Sequence, residues 1–326
     1  MKRVIYLVSI LVVLVGITSV ALAEKKPIKL KAVQFLNLGN PAEKGFHLLV
    51  DSINKAAKGE LVIEIVGGPE AIPARQQLES VRVGAVDMCW VPSGWYKSVV
   101  PVAAVLNLSR IGPSGARKSG LHDFLVKEHK KAGLRFIGAT DVGGPFFLYA
   151  KEPLKSSAEI KGKRFRHSPT HAFFKAVGLV PITVGHGDIY TGLERNLLDG
   201  LATKHATFIN LSLFEVCKYV VGPSYWGSGY GSVTILNEGT FAGLPKNLQD
   251  LILNTQEKKE PQMKEMELSL LEGQWKTLRE KGVKHIKWSP EDSKAFLEEI
   301  DQAAWKVHGK RLPPGMEDKL KKMMGY

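Results

Sequence analysis

Residues 28–34, IKLKAVQ, alternate apolar and polar side chains, the period of a half-buried strand. Asn40-Pro41 then offers a cap and a first-turn proline for a helix, with Phe46, Leu49, Val50 and Ile53 on one face. LVIEIV at 61–66 reads as a strand, and a helix from about Pro73 stops at Gly84. AVDMCWV at 85–91 is strand-like again, and a helix over about 115–131 stops at Gly133 before LRFIGAT. This β-α-β rhythm predicts a largely parallel sheet in an α/β chain.

The rhythm resumes further on. RFRH is a strand, Ser168-Pro169 opens a helix that stops at Gly178, and VPITV is a strand. A helix at 188–196, a strand near 199–203, a helix over roughly 205–216 and a strand at 232–236 follow. After Leu244-Pro245 a helical stretch runs to Gly282, interrupted by Pro261. That proline removes a backbone hydrogen bond and is expected to kink or break the helix. Ser289-Pro290-Glu291-Asp292 caps another helix, and a shorter one lies near 315–323.

The first 26 residues depart from this pattern. A basic start (Lys2, Arg3), a long apolar run and Ala21-Leu22-Ala23 have the layout of a secretory leader cut after Ala23. An uncleaved anchor is the alternative, since about 20 apolar residues just span a bilayer. The Ala-x-Ala end before Glu24-Lys25-Lys26 favours cleavage and an exported, periplasmic protein. Losing Lys2 and Arg3 takes the net charge from +13 to +11. The remaining cations are spread along the chain without interleaved aromatics, so the surplus speaks for anions in general and against nucleic acid. About 300 residues remain, enough for two α/β lobes.

Catalytic signatures are lacking. The sequence holds no P-loop, no His-Glu-x-x-His and no Cys-x-x-Cys. The glycines of WGSGYGS (226–232) miss the spacing of a nucleophile elbow and of a dinucleotide loop, which leaves a hinge or turn beside a strand. His167 and His171 are four apart, but a cap at Ser168 puts His167 outside the helix, so no metal site and no cofactor are expected. Cys89, in an apolar strand, and Cys217, on an apolar helix, are expected as buried free thiols rather than a disulfide.

One stretch carries candidate chemistry. KGKRFRH (161–167) places five cationic or titratable side chains in seven positions. On a strand, Arg164 and Arg166 share a face opposite Phe165. Arg166 lies at the carboxyl end, where open parallel sheets bind ligands, two residues before a helix whose free N–H groups also attract an anion. A carboxylate fits a guanidinium through two parallel hydrogen bonds, at about 1.5–3 kcal/mol each. The helix end adds only about 0.3–1 kcal/mol. Lys161 and Lys163 read as a solvated edge.

From here the sequence resembles a known family. KGKRFR, Gly178-Leu179-Val180-Pro181, Asp188-Ile189-Tyr190-Thr191-Gly192-Leu193 and Leu198-Asp199-Gly200 are similar to the DctP-type solute-binding proteins of tripartite ATP-independent periplasmic (TRAP) transporters. Residues 79–88, Leu236-Asn237 and Leu244-Pro245 extend the resemblance over nearly the whole mature chain. It implies a two-lobed, type II-like periplasmic binding fold with hinge strands and a long helix spanning both lobes. The first lobe is expected at 24–146 with 230–260 returning to it, the second at 147–229 with 261–310 returning, and a C-terminal tail at 311–326. The resemblance also implies that an organic acid is captured between the lobes, gripped by Arg166, and handed by a monomeric protein to a small and a large membrane subunit, with no catalysis.

Departures shape the expected ligand. Ala202-Thr203-Lys204 stands where many members have Glu-Asn-Pro, so an amide contact is either replaced by the Thr203 hydroxyl or lost, and Pro145-Phe146-Phe147 stands where a further polar contact is common. Phe35, Trp90, Ser93 and Trp95 of the first lobe, His186 of the second and Trp226 near the hinge complete the candidate site. Rings around one arginine favour a monocarboxylate with an apolar part over a dicarboxylate or a sugar acid. Lys204 and His205 keep a second acidic group open. An extracytoplasmic sensor presenting its ligand to a receptor, and an exported enzyme on a similar fold, are the rival readings.

Overall fold

The computed structural model describes residues 26–167, 173–227 and 229–326. The leader and its cut, the helix start at Ser168-Pro169 and His171 lie outside them.

The first-lobe sheet holds β1 (Ile28–Gln34), β2 (Leu61–Gly67), β3 (Met88–Pro92), β4 (Leu134–Ala139) and, from far along the chain, β10 (Ser232–Asn237), in the order β2-β1-β3-β10-β4. Neighbours are parallel except β10, which runs against both β3 and β4. The alternation of IKLKAVQ buries Leu30 and Ala32 and exposes Lys29 and Lys31. On α1 (Lys44–Ala56), Phe46, Leu49, Val50 and Ile53 are buried against this sheet. Each such side chain contributes about 1.5–3 kcal/mol of burial. Asn40 caps the turn ahead of α1, accepting from the Ala42 N–H at 3.0 Å.

Two helices differ from the pattern. Residues 73–76 make only a turn, so α2 is Gln77–Arg82. The helix expected over 115–131 is two, α3 (Pro113–Ser119) and α4 (Leu121–Lys130). They part at Gly120, whose φ of 79° no right-handed helix can continue.

The second sheet holds β5 (Phe146–Ala150), β6 (Arg164–Arg166), β7 (Val180–Ile182), β8 (Gly200–Thr203), β9 (Tyr219–Tyr225) and β11 (Lys284–Ile286), in the order β11-β9-β5-β8-β6-β7. Here β5 is the strand antiparallel to both neighbours. Short helices α5 (Ile189–Glu194) and α6 (His205–Asn210) pack beside it. The helix expected to reach 216 ends early because Ser212 turns left-handed, φ 52°, before a single tight turn at Leu213–Glu215. Residues 173–178, the described end of the helix expected from Ser168, form turns.

The odd strand of each sheet is the one that has crossed from the other lobe. The chain leaves the carboxyl end of β4 and, six residues later, enters β5, which starts beside the carboxyl ends of β6 and β8. It returns from β9 to β10 through residues 226–231. The carboxyl ends of the parallel strands in both sheets therefore face each other across the two crossovers.

After α7 (Glu238–Gly243), α8 (Lys246–Glu280) spans both lobes. Its Leu248 and Ile252 lie in the first core and Leu278 in the second. Pro261 does not break it. The proline itself is exposed, so its ring points away from both cores. Helix α9 (Pro290–His308) also bridges, with Phe296 and Ile300 in the second core and Ala304 and Trp305 in the first. Leu320 of α10 (Met316–Met323) joins the first core. Cys89 and Cys217 are free and buried in different cores.

Three buried histidines are held neutral. Burial pushes His129 down to about 4, and its ring donates from Nδ1 to the Leu125 carbonyl and accepts from the Tyr96 hydroxyl. Burial, helped by Arg117, pushes His122 down to about 4, and burial takes His205 to about 3. In the unfolded chain each binds a proton below about pH 6.5, which the folded chain refuses. Stability should therefore fall as pH drops from about 6.5 towards 4, by up to about 1.4 kcal/mol per pH unit for each ring. Urea denaturation at pH 7, 6 and 5 should show a falling midpoint, and His129→Gln should remove about a third of the slope; a midpoint independent of pH would contradict this.

Candidate functional site

The cationic stretch sorts itself in the structure. Lys163 pairs with Glu152 at 2.6 Å. Arg164 forms a fork with Asp199, at 3.0 Å from Nε and 2.7 Å from a terminal nitrogen. Its backbone N–H donates to the same carboxylate at 2.7 Å. That fork ties β6 to the turn before β8 and holds the Asp199 carboxyl below its usual range. Arg166 is different. Among the described residues no carboxylate lies within 4 Å of its guanidinium, and its Nε is buried without a hydrogen-bond partner. Burial alone lowers its pKa.

Strand order fixes what surrounds it. Arg166 pairs in register with Leu201 of β8 on one side and Ile182 of β7 on the other. The carboxyl ends of those strands lead to Thr203 and to His186. Thr203 is buried opposite Phe147. His186 is exposed in the turn before α5, and its pKa is lowered first by partial burial and then by the charge of Arg166. The neighbouring guanidinium thus disfavours the ring's charged form.

The crossovers add two rings. Phe146 opens β5, stacked on Tyr225 at 5.9 Å and edge-on to Trp226 at 6.3 Å. Trp226 takes φ 46°, a costly conformation for a bulky residue, and packs on the cores of both lobes. Gly227 follows, where a Cβ would lie 2.8 Å from Pro145, so the crossover passes close against residue 145.

From the first lobe, Phe35 follows β1 and Trp95 follows β3, with ring centres 5.5 Å apart. Arg75 lies over the Trp95 ring at 3.8 Å. Trp90 is placed differently from the other rings. It is fully buried, stacked on Phe46 at 6.1 Å, and touches the cleft side through Phe35 at 4.5 Å. Alternation along β3 decides this, since Met88 and Trp90 face the same core. Ser93 is also buried; its N–H donates to the Gly231 carbonyl at 3.1 Å, joining β3 to the second crossover.

Lys204 and His205 are both engaged. The Lys204 ammonium donates to Asp141 at 2.9 Å, and His205 is buried between Phe147 and Trp275 with the Tyr149 hydroxyl on its Nδ1. Asp141 and Arg75 escaped the sequence reading. The only signal for Asp141 was its place before Val142-Gly143-Gly144, where a chain turns.

A hollow of about 1240 Å³ lies between α8, α9 and the crossovers. It includes none of Arg166, Phe35, Trp95, His186 or Thr203. Its charges are already matched, Arg110 with Asp301 at 2.9 Å and Lys264 with Glu267 at 2.9 Å. Among the described residues no group of histidine, cysteine and carboxylate side chains is arranged to hold a metal.

Residues 32–310 match the bacterial extracellular solute-binding proteins, family 7 (DctP). The chain belongs to this family. It is an extracellular solute-binding protein of the DctP type, not an enzyme. It is similar to the 2,3-diketo-L-gulonate-binding periplasmic protein YiaO of Escherichia coli (strain K12), 26% identical over 82% of this chain and 83% of that one. Two solved TRAP solute-binding proteins share its fold. That of Desulfovibrio salexigens, with bound orotic acid, is 19% identical over 90% of this chain and 97% of that one, with a TM-score of 0.74. That of Desulfovibrio desulfuricans, with bound sn-glycerol-3-phosphate, is 19% identical over 90% and 96%, with a TM-score of 0.72.

Proposed function

We propose that this family member captures an organic acid between its lobes, with the cargo's carboxylate on Arg166, and delivers it to the small and large membrane subunits of a TRAP transporter. One observation carries the reading. In a stretch where Lys163 and Arg164 each have a carboxylate, Arg166 has none among the described residues, although burial weighs on its charge. Such a charge is expensive to leave without a partner. A carboxylate entering the cleft supplies two charge-assisted bonds in place of lost water.

The surroundings agree with a small acid bearing an apolar body. In this reading Phe35, Trp95, Phe146 and Trp226 supply ring surface, and Ser93, Thr203 and His186 supply polar groups at or after the strand ends. A gulonate and orotic acid, the ligands in the names of two similar proteins, are carboxylic acids. Glycerol phosphate presents a similar anionic oxygen edge to a guanidinium. Closure then has a physical cause, because a ligand touching both lobes favours the state in which both contacts form.

The lobe limits inferred above, 24–146 with 230–260 and 147–229 with 261–310, belong to this reading, as does a leader removed after Ala23. N-terminal sequencing of the exported chain should begin at Glu24; a retained leader in the membrane fraction would revive the anchor.

Arg166 supplies the main test. A thermal-shift screen of organic acids identifies a binder, since a ligand at 100 times its Kd adds about 2.7 kcal/mol of stability. With that acid, Arg166→Ala should lose about 2–5 kcal/mol of binding, thirtyfold or more. Arg166→Lys should also bind poorly, because an ammonium keeps the charge and loses the fork. Lys163→Ala should bind like the parent, and the unliganded Tm of Arg166→Ala should not fall. Parent-like binding by Arg166→Ala, measured by calorimetry, would refute the site.

A further inference from the structure

Beside Arg166, the carboxyl end of β8 carries a second cation that the fold cancels. Lys204 pairs with Asp141 at 2.9 Å, and the Asp141 side chain is only 7% exposed. The pair is built in from three sides. Asp141 also accepts the Gly143 N–H at 2.8 Å. A Cβ on Gly231 would sit 1.9 Å from its other oxygen, and one on Gly143 would sit 2.9 Å from the Lys204 nitrogen. Both crossovers are thus cut back to let the two charges meet. Glu267 of α8 feels both Asp141 and Lys204 and is itself bonded to Lys264 at 2.9 Å, so these four side chains sum to zero charge.

The pair also borders two rings of the proposed site. The Lys204 ammonium lies 5.5 Å from the centre of the Phe146 ring, and Lys204, Asp141, Phe146 and Trp226 line one small hollow at the crossovers. Lys204 directly follows β8, the strand in register with β6 and Arg166. At these strand ends His186 and His205 are both held towards the neutral form, and the His167 ring lies 3.2 Å from the Thr183 hydroxyl.

We propose that Asp141 selects the charge of the cargo: by cancelling Lys204 it leaves Arg166, among the described residues, as the one permanent cation at the ends of β6, β7 and β8, so the second lobe accepts one carboxylate and rejects a second acidic group close to the first. An acid pair on a short skeleton would place its second carboxylate against a buried Asp141 instead of a free ammonium. Asp141 is a specificity residue that acts through Lys204, and the proposal rests on the carboxylate reading above.

The test uses matched pairs that differ by one carboxylate: propionate and malonate, butyrate and succinate, benzoate and phthalate. Calorimetry on the full mature protein gives the ratio of mono-acid to di-acid affinity. The parent should prefer the mono-acid at least tenfold. Asp141→Asn keeps the acceptor for the Gly143 N–H and should lower the ratio tenfold or more; adding Lys204→Met should restore it. Lys204→Met alone should leave mono-acid affinity within threefold. An unchanged ratio in Asp141→Asn, or a tenfold mono-acid loss in Lys204→Met, overturns this proposal while the carboxylate reading stands. If no acid of any pair binds the parent, or Arg166→Ala binds like it, both fall.

Discussion

A half-buried guanidinium with no carboxylate beside it among the described residues is the constraint around which the proposed site is arranged. Desolvating a cation costs free energy that an ion pair or hydrogen bonds must offset. The fold spends acids freely elsewhere, on Arg164 through Asp199, on Arg117 through Glu260 at 2.7 Å and on Arg135 through Glu238 at 2.8 Å. In the proposed reading Arg166 is left for the cargo. A site that is costly when empty and satisfied when full converts ligand binding into stability, and so into a closed state.

Topology brings that residue to the right place. Because β5 and β10 are the strands that cross over, both sheets direct their carboxyl ends at the same gap. The two crossovers are short, and the strained Trp226 and the tight Gly227 and Gly231 leave them little room. Helices α8 and α9 each anchor in both cores, which makes them struts that any change of angle between the lobes must carry.

Much of this was legible in the chain. Alternation gave β1, and the spacing of Phe46, Leu49, Val50 and Ile53 gave the buried face of α1. Arg166 could be singled out because strand periodicity and the position of Phe165 decide which side chains share a face. What the sequence hid was set by contacts distant along the chain. Trp90 reads as a cleft ring until β3 is placed and its partner Phe46 is known. Pro261 reads as a break until its exposed side and the anchoring of α8 in two cores are seen. Asp141 and Lys204 are 63 residues apart, and nothing local announces that one cancels the other.

The central claim is that the cargo's acid completes Arg166. A crystal structure of the complex with the tightest-binding acid measures this directly. The account predicts closed lobes with both carboxylate oxygens about 2.7–2.9 Å from the guanidinium nitrogens of Arg166. An acid seated in the hollow between α8 and α9, or a liganded structure in which Arg166 turns to a protein carboxylate instead, would contradict it.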